Sequence, residues 1–228
     1  MCITLGPFST SALRNKIAEA NANIICLQET KKEHFDYRYL KNFCPNRINC
    51  FDFLPSVGAS GGLLIAWNGS IFDGETLFQN EFSISIRFTS KLTSDSWILT
   101  NIYGPCQGDP RINYTNWLFS LNIPANEDWL LLGDFNYIRS PDNRNKPGGS
   151  INDMITFNDF IRSQNLIELP IKGRAYTWST MQDEPLLEQL DWFLTSNNWT
   201  LSYPNTMVKP LGKPVSDHIP CVITIETS

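Results

Sequence analysis

Polar residues suited to phosphoryl chemistry stand at the ends of apolar runs in this chain. "WLLLGDFNYI" (129–138) places Asp134 and Asn136 directly after four apolar residues and Gly133. "IICLQE" ends at Glu29, and "ILTNIY" carries Asn101 and Tyr103. "LEQLDWF" sets Asp191 among apolar neighbours, and "PVSDHIP" holds Ser216, Asp217 and His218 ahead of a final apolar run. Strand ends on a rigid scaffold fix side chains where they can reach solvent. Brought together, these groups have a chemical logic. Glu29 can bind a hard cation such as Mg²⁺ through oxygen, with water completing the shell. Asp134 can act as general base on a water or orient it, and Asn136 can hold that water or a phosphate oxygen. A protonated His218 can stabilise a phosphoryl oxygen, with Asp191 holding the ring and raising its pKa. Tyr103 can donate a hydrogen bond to phosphate or leaving group. The set suits in-line attack of water on a phosphodiester with one metal ion.

Each member alone has a plainer reading. G-D-x-N is a common Asx turn, Glu29 an exposed strand end, and Asp217–His218 a solvated turn before Pro220. His34 lies among Lys and Glu and reads as surface, so any histidine chemistry rests on His218. The ordered set carries the functional reading.

The elements that must position these groups follow from periodicity. Ser9, Thr10 and Ser11 offer N-caps for a helix through about Ala22, with Leu13, Ile17 and Ala20 on one face. "NIICLQE", "SGGLLIAW", "SWILTNIYGP", "RAYTWS", "LLEQLDWFL" and "PCVITIE" read as strands, and the strand in "WLLLGDFN" stops at Gly133. "FSISIRF" alternates strictly and predicts a half-buried strand with Phe82, Ile84, Ile86 and Phe88 on one face. Residues 36–43 and "RINYTNWLFSL" predict helices, and Asp153 caps another carrying Met154, Phe157, Phe160 and Ile161. "RSPDNRNKPGGS" is a turn-forming basic loop. Strands outnumber helices, which favours mixed sheets packed face to face with helices outside.

The totals are consistent with this. The chain has 228 residues, which suits one domain over 1–228, and is 42% apolar and 12% aromatic. A net charge of −5 argues against a dedicated nucleic-acid binder but leaves room for a metal-dependent enzyme acting on phosphates. Six cysteines without a C-x-x-C pair exclude the usual zinc spacing. No secretory signal or membrane-length apolar run is visible, so an intracellular setting with reduced cysteines is expected.

"LQETK" (27–31), "NIYGP" (101–105), "GDFN" (133–136), "YTWS" (176–179), "LDWFLTS" (190–196) and "SDHIP" (216–220) occur in an order that resembles the endonuclease/exonuclease/phosphatase superfamily. Within it, the chain resembles the apurinic-endonuclease-like endonuclease domain of plant LINE-type (non-LTR) retrotransposons. The resemblance implies a DNase I-like α/β fold, a four-layer sandwich of two mixed β-sheets flanked by helices. It implies Mg²⁺-dependent phosphodiester hydrolysis, with Mn²⁺ as a substitute. Glu29 and Asp217 would then serve the metal. Asp134, Asn136, His218, Asp191 and Tyr103 would be catalytic, and Asn101, Ser216, Arg139, Arg144 and Lys146 would contact phosphate or DNA. The implied partners are DNA and a reverse transcriptase of the parent element, with no membrane, a monomeric state and a nuclear location.

Two departures stand out. Members open with a strand resembling W-N-V-R-G-L, whose Asn supports the metal site; this chain opens "MCITLGPFSTSALRNK" and lacks that Asn. A truncated or replaced first strand is therefore expected, with an exposed ladder edge. Gln189 stands where many relatives carry Arg, and the chain ends at Ser228 without a reverse transcriptase, as a fragment of a larger element would. Two further readings stay open: a catalytically impaired nucleic-acid-binding remnant, and a phosphatase or phosphodiesterase of the same superfamily.

Overall fold

The computed structural model describes residues 1–5, 9–58, 61–124, 126–212 and 216–226. In chain order the elements are β1 (Cys2–Leu5), α1 (Thr10–Ala20), β2 (Ile24–Gln28), α2 (Tyr37–Leu40), β3 (Cys50–Leu54), β4 (Leu63–Trp67), β5 (Phe72–Asn80), β6 (Ser83–Ser90) and β7 (Ser96–Tyr103). There follow α3 (Asp109–Ser120), β8 (Trp129–Asp134), a 3₁₀ turn (Pro141–Asn143), α4 (Ile151–Ser163), β9 (Ile167–Glu168) and β10 (Trp178–Ser179). The chain continues through β11 (Leu187–Glu188), β12 (Asp191–Thr195), α5 (Asn197–Ser202), β13 (Met207–Pro210) and β14 (Cys221–Thr224).

Two six-stranded mixed sheets result, ordered β13-β14-β1-β2-β4-β3 and β5-β6-β7-β8-β12-β9, with β10-β11 as a small ladder. Strand alternation explains their packing. In β8, Leu130 and Leu132 point into a core between the sheets, where they meet Ile84, Ile86, Leu99 and Phe193 and the inner residues Ile24, Cys26 and Ile65 of the other sheet. Leu131 points outward to the layer of α3 and α4, among Tyr114, Leu118, Phe157 and Phe160. The outer face of the first sheet, with Ile25 and Leu64, is covered by Leu13 and Ile17 of α1 and by Leu40 of α2. The result is the four-layer DNase I-like sandwich. With both faces of each sheet covered, central strands become continuous apolar runs.

The same alternation places the polar groups. Asp134 lies on the inner side with Leu130 and Leu132, Asn101 and Tyr103 with Leu99, Asp191 with Phe193, and Gln28 with Cys26. Register completes the row: Tyr103 pairs with Asp134 across the parallel β7–β8 ladder, and Asp191 with Asp134 across β12–β8. Three side chains from strands far apart in sequence therefore stand side by side at one end of the sandwich.

Several sequence expectations need correction. β1 is present as a four-residue inner strand, parallel to β2 and antiparallel to β14, so no ladder edge is exposed there. Residues 6–8, where the opening motif continues, lie outside the described residues. β6 is covered on both faces: Ser83 and Ser85 are as buried as Ile84, and Ser85 Oγ lies 2.6 Å from Thr100 Oγ1. β8 runs one residue past Gly133 because Asp134 has strand partners on both sides. Ser150, not Asp153, caps α4: its Oγ accepts the Asp153 N–H at 3.2 Å, leaving the Asp153 carboxylate free to pair elsewhere. "LLEQLDWFL" splits at Gln189–Leu190 into β11 and β12, which belong to different sheets.

Gly133 is irreplaceable for a steric reason. Its φ is +132°, and a Cβ there would sit 2.1 Å from the carbonyl oxygen of Ile102. Gly133→Ala is expected to cost on the order of 3 kcal/mol, because a positive-φ backbone and a backbone clash must both be relieved. A urea titration followed by tryptophan fluorescence measures this loss directly.

Candidate active site

The strand ends build a layered site. Asn136 adopts φ +52°, which asparagine tolerates better than most residues. Its backbone N–H donates to Asp134 Oδ1 at 2.9 Å, closing an Asx turn, and its carboxamide Nδ2 donates to Asp134 Oδ2 at 3.0 Å and to the Gly104 carbonyl at 2.6 Å. The turn and the functional pair are thus one object: the Asx turn aims Asp134 and ties it to the loop after Tyr103. Asp191 is fixed from the other side, since Thr177 Oγ1 accepts the N–H groups of Leu190 and Asp191, both at 3.0 Å.

His218 lies between two carboxylates. Its Nδ1 is 2.9 Å from Asp191 Oδ2 and its Nε2 is 3.6 Å from Asp134 Oδ2. The segment carrying it is zipped to β10: Ser179 N–H donates to the Asp217 carbonyl at 3.0 Å, and Ile219 N–H to the Thr177 carbonyl at 2.8 Å. Trp178 Nε1 donates to Asp217 Oδ2 at 3.2 Å, and a small cavity beside Asp217 is lined by Arg174, Tyr176, Trp178 and Leu187.

The electrostatics follow from burial against charge. Burial alone would lower the His218 pKa, but the carboxylates of Asp191 and Asp134, the Asp191 hydrogen bond and the charge on Asp217 reverse this and raise it to about 10. Burial pushes Asp134 up; the His218 cation and the Asn136 N–H pull it down, and Asp191 and Glu29 add to the rise, leaving it at about 7. His218 is therefore a cation at neutral pH, and Asp134 is poised near ionisation. Tyr103 is pushed well above the usual phenol range, first by burial and then by Glu29, Asp134, Cys106 and Asp217, so its hydroxyl remains a donor.

Glu29 follows β2 and Asp134 ends β8, and both, with Asp217, act through their charge on the Tyr103 phenol. Glu29 has φ +50° and is part-buried, with Lys31 Nζ 3.2 Å from its Oε1. Among the described residues no cluster of three or more His, Cys, Asp or Glu forms a metal cage. Mg²⁺ prefers one or two carboxylates with water and substrate oxygens, so this donor set fits a water-rich Mg²⁺ site and not an all-protein one.

The residues expected to contact phosphate or DNA also have partners within the chain. Asn101 is wholly buried: its Nδ2 donates to the carbonyls of Leu27 at 3.1 Å and Leu64 at 3.2 Å, and its Oδ1 accepts from Gln28 Nε2. It links the two sheets beneath the site, with its carboxamide hydrogen-bonded inside the protein. Thr4 Oγ1 donates to Gln28 Oε1 at 3.0 Å and extends this polar floor into β1. Ser216 Oγ accepts the His218 N–H at 3.3 Å, a turn contact. Arg139 pairs with Glu168 and donates to Asn158 Oδ1 at 2.9 Å; Arg144 lies 3.4 Å from Glu188; Lys146 donates to the Glu184 carbonyl at 2.5 Å. These three cations thus have partners within the chain. Gln189, in the position where an Arg was expected, accepts from Asn143 Nδ2 at 3.0 Å and braces the same loop. Gln28, Thr177 and Trp178 were not singled out, although all three lie inside the quoted motifs.

The profile described as the Endonuclease/Exonuclease/phosphatase family matches residues 5–218. The chain belongs to that family. Solved structures of similar fold include the endonuclease domain of TRAS1, a telomere-specific non-LTR retrotransposon, at 13% identity and TM-score 0.73, covering 98% of this chain and 97% of that one. The AP endonuclease LMAP from Leishmania major matches at 16% identity and TM-score 0.71, over 96% of this chain and 85% of that one. The Xenopus laevis APE2 catalytic domain matches at 16% identity and TM-score 0.69, over 98% and 91%. No curated protein matches this chain by sequence. At such identities the likeness speaks for the fold; as a family member the chain is placed among hydrolases of phosphate esters, and no helix among the described residues is long and apolar enough to cross a membrane.

Proposed function

We propose that this family member hydrolyses phosphodiester bonds in DNA, nicking one strand as the endonuclease domain of a non-LTR retrotransposon. The observation that carries the reading is the Asp191–His218–Asp134 row with Asn136 closing it, at the end of the sandwich where Tyr103 and Glu29 also emerge. Mg²⁺ held at Glu29, with Asp217 beside it, would supply Lewis-acid stabilisation of charge on a phosphate oxygen. Ionised Asp134 accepts a proton from, and orients, the attacking water, and the Asn136 carboxamide keeps that carboxylate turned toward it. The His218 cation stabilises negative charge that grows on the phosphoryl oxygens, and Asp191 keeps the ring protonated and fixed. The Tyr103 hydroxyl donates to phosphate or to the departing oxygen.

One observation favours a second reading, a phosphatase acting on small esters. Arg139 and Arg144 are paired with Glu168 and Glu188, Lys146 donates to the Glu184 carbonyl, and the net charge is −5, so the basic loop offers a long polyanion less than its composition suggests. One experiment separates the two. Purified protein is incubated with supercoiled plasmid and, separately, with small phosphate monoesters, in Mg²⁺ or EDTA. Conversion of plasmid to open circles in Mg²⁺ but not EDTA is expected; phosphate release from monoesters with intact plasmid would replace the first reading by the second.

A further inference from the structure

We infer that Arg111 is a positioning residue that holds the two site loops at their working separation. The inference rests on the reading of Asp134, Asn136 and Tyr103 given under the proposed function. Arg111 lies in the first turns of α3, behind the site, and its side chain is 15% exposed. Its Nη1 contacts three main-chain carbonyls: Pro105 at 2.9 Å, Asn136 at 3.0 Å and Cys106 at 3.2 Å. Nη1 carries two hydrogens, so at least one is shared. Pro105 and Cys106 belong to the loop that follows Tyr103; Asn136 belongs to the turn that follows Asp134. One cationic group thus bridges the loops on either side of the β7–β8 pair.

The rest of the guanidinium is engaged except at Nε, which is buried without a hydrogen-bond partner. Nη2 meets Asp153 Oδ2 at 2.9 Å, and the guanidinium carbon lies 3.9 Å over the Tyr137 ring. Tyr137 Oη is 2.7 Å from Thr115 Oγ1, which itself donates to the Arg111 carbonyl at 2.8 Å. On the site side, Asn136 Nδ2 donates to the Gly104 carbonyl, and Gly104 N–H donates to the Asp134 carbonyl at 2.8 Å. The loops are therefore tied at two levels, by Asn136 in front and by Arg111 behind. The charge adds a further role: a guanidinium on the Asn136 carbonyl favours the φ +52° turn that turns the Asn136 N–H onto Asp134. Lysine cannot copy this, because it lacks the planar fork that meets the carbonyls and Asp153 together.

Arg111→Met, Arg111→Lys and Asp153→Asn separate positioning from bulk stability. In metal-free buffer, amide exchange of Gly104 and Asn136 is expected to quicken about tenfold or more in Arg111→Met, with β12 unchanged. In plasmid nicking, kcat is expected to fall on the order of 10²-fold with KM nearly constant, as for a small misplacement of reacting groups. Arg111→Lys should recover part of the rate, and Asp153→Asn should lower Tm without a matching loss of kcat. Unchanged exchange at Gly104 and Asn136 overturns the inference, as does a rate loss that tracks Tm across all three variants. If the unaltered protein nicks no DNA, the proposed function fails, and the exchange measurement still decides whether Arg111 holds the loops.

Discussion

Asp134→Asn is expected to abolish plasmid nicking while making the metal-free protein more stable above pH 7. The carboxylate is 4% exposed, and burial is the largest influence on it, raising its pKa to about 7. The unfolded chain releases this proton near pH 4, so between about 4 and 7 the folded state binds the extra proton. Stability from this group therefore falls as pH rises through that window, and above it the fold carries an ionised carboxylate against its surroundings. Asparagine removes that penalty. It keeps an oxygen for the Asn136 N–H and gives up only the acceptor of the Asn136 Nδ2 bond, and His218 retains Asp191 at 2.9 Å. Thermal melts in EDTA at pH 8 should show a gain of at least about 3 °C, shrinking toward pH 5, where Asp134 of the unaltered protein is itself neutral. The rate should fall on the order of 10⁴-fold, because an amide can neither take the proton of the attacking water nor carry charge. Residual nicking within tenfold of the unaltered protein would remove Asp134 from the mechanism. A marked loss of Tm at pH 8 would instead make it a structural ion-pair partner.

How much of this was legible beforehand depended on whether the relevant signal is local. The apolar runs of β7 and β8 and the polar residues that end them are written in consecutive residues, so both strands and their polar ends were readable. α1 and its Ser9 cap were readable for the same reason. β3, β5, β9, β13 and α5 were not assigned. β9 has only two residues, and the middle of β5 is exposed along an edge, so neither shows an alternating pattern. The partners of three expected site residues were not legible, for one reason. Arg139 and Arg144 look free in "RSPDNRNKPGGS" because their partners Glu168 and Glu188 lie tens of residues away. Asn101 looks like a strand-end ligand because its acceptors are carbonyls of the opposite sheet. Arg111 gave no signal at all, since main-chain carbonyls bear no residue identity. Side chains that face substrate advertise themselves by type, whereas those that hold the site do so through contacts that only folding creates.

Asp191→Asn tests the other half of the site, and its effect should be read across pH. In the unaltered protein, Asp134 must be ionised and His218 protonated, so nicking should rise through a limb below the metal-free Asp134 value of about 7 and fall through a limb set by His218, about 10 without metal. Divalent cation near Glu29 moves the first limb to lower pH. Asp191 is the largest influence raising the His218 pKa, and its charge also raises Asp134. The substitution should therefore shift both limbs toward acid and narrow the window. At pH 8 to 9 the loss is expected on the order of 10³-fold, because the neutral ring no longer stabilises phosphoryl charge and is no longer held by a carboxylate. At pH 6 the loss should be much smaller, since the ring still carries its proton. Stability moves with the same sign. A histidine raised from 6.5 to about 10 contributes stability that is complete below about pH 6.5 and lost as pH climbs toward 10. Asp191→Asn should thus destabilise the fold most at pH 6 and little at pH 10. A falling limb left near pH 10 would mean that Asp134 and Asp217 alone keep His218 charged, and that Asp191 serves the ring only as a hydrogen-bond acceptor.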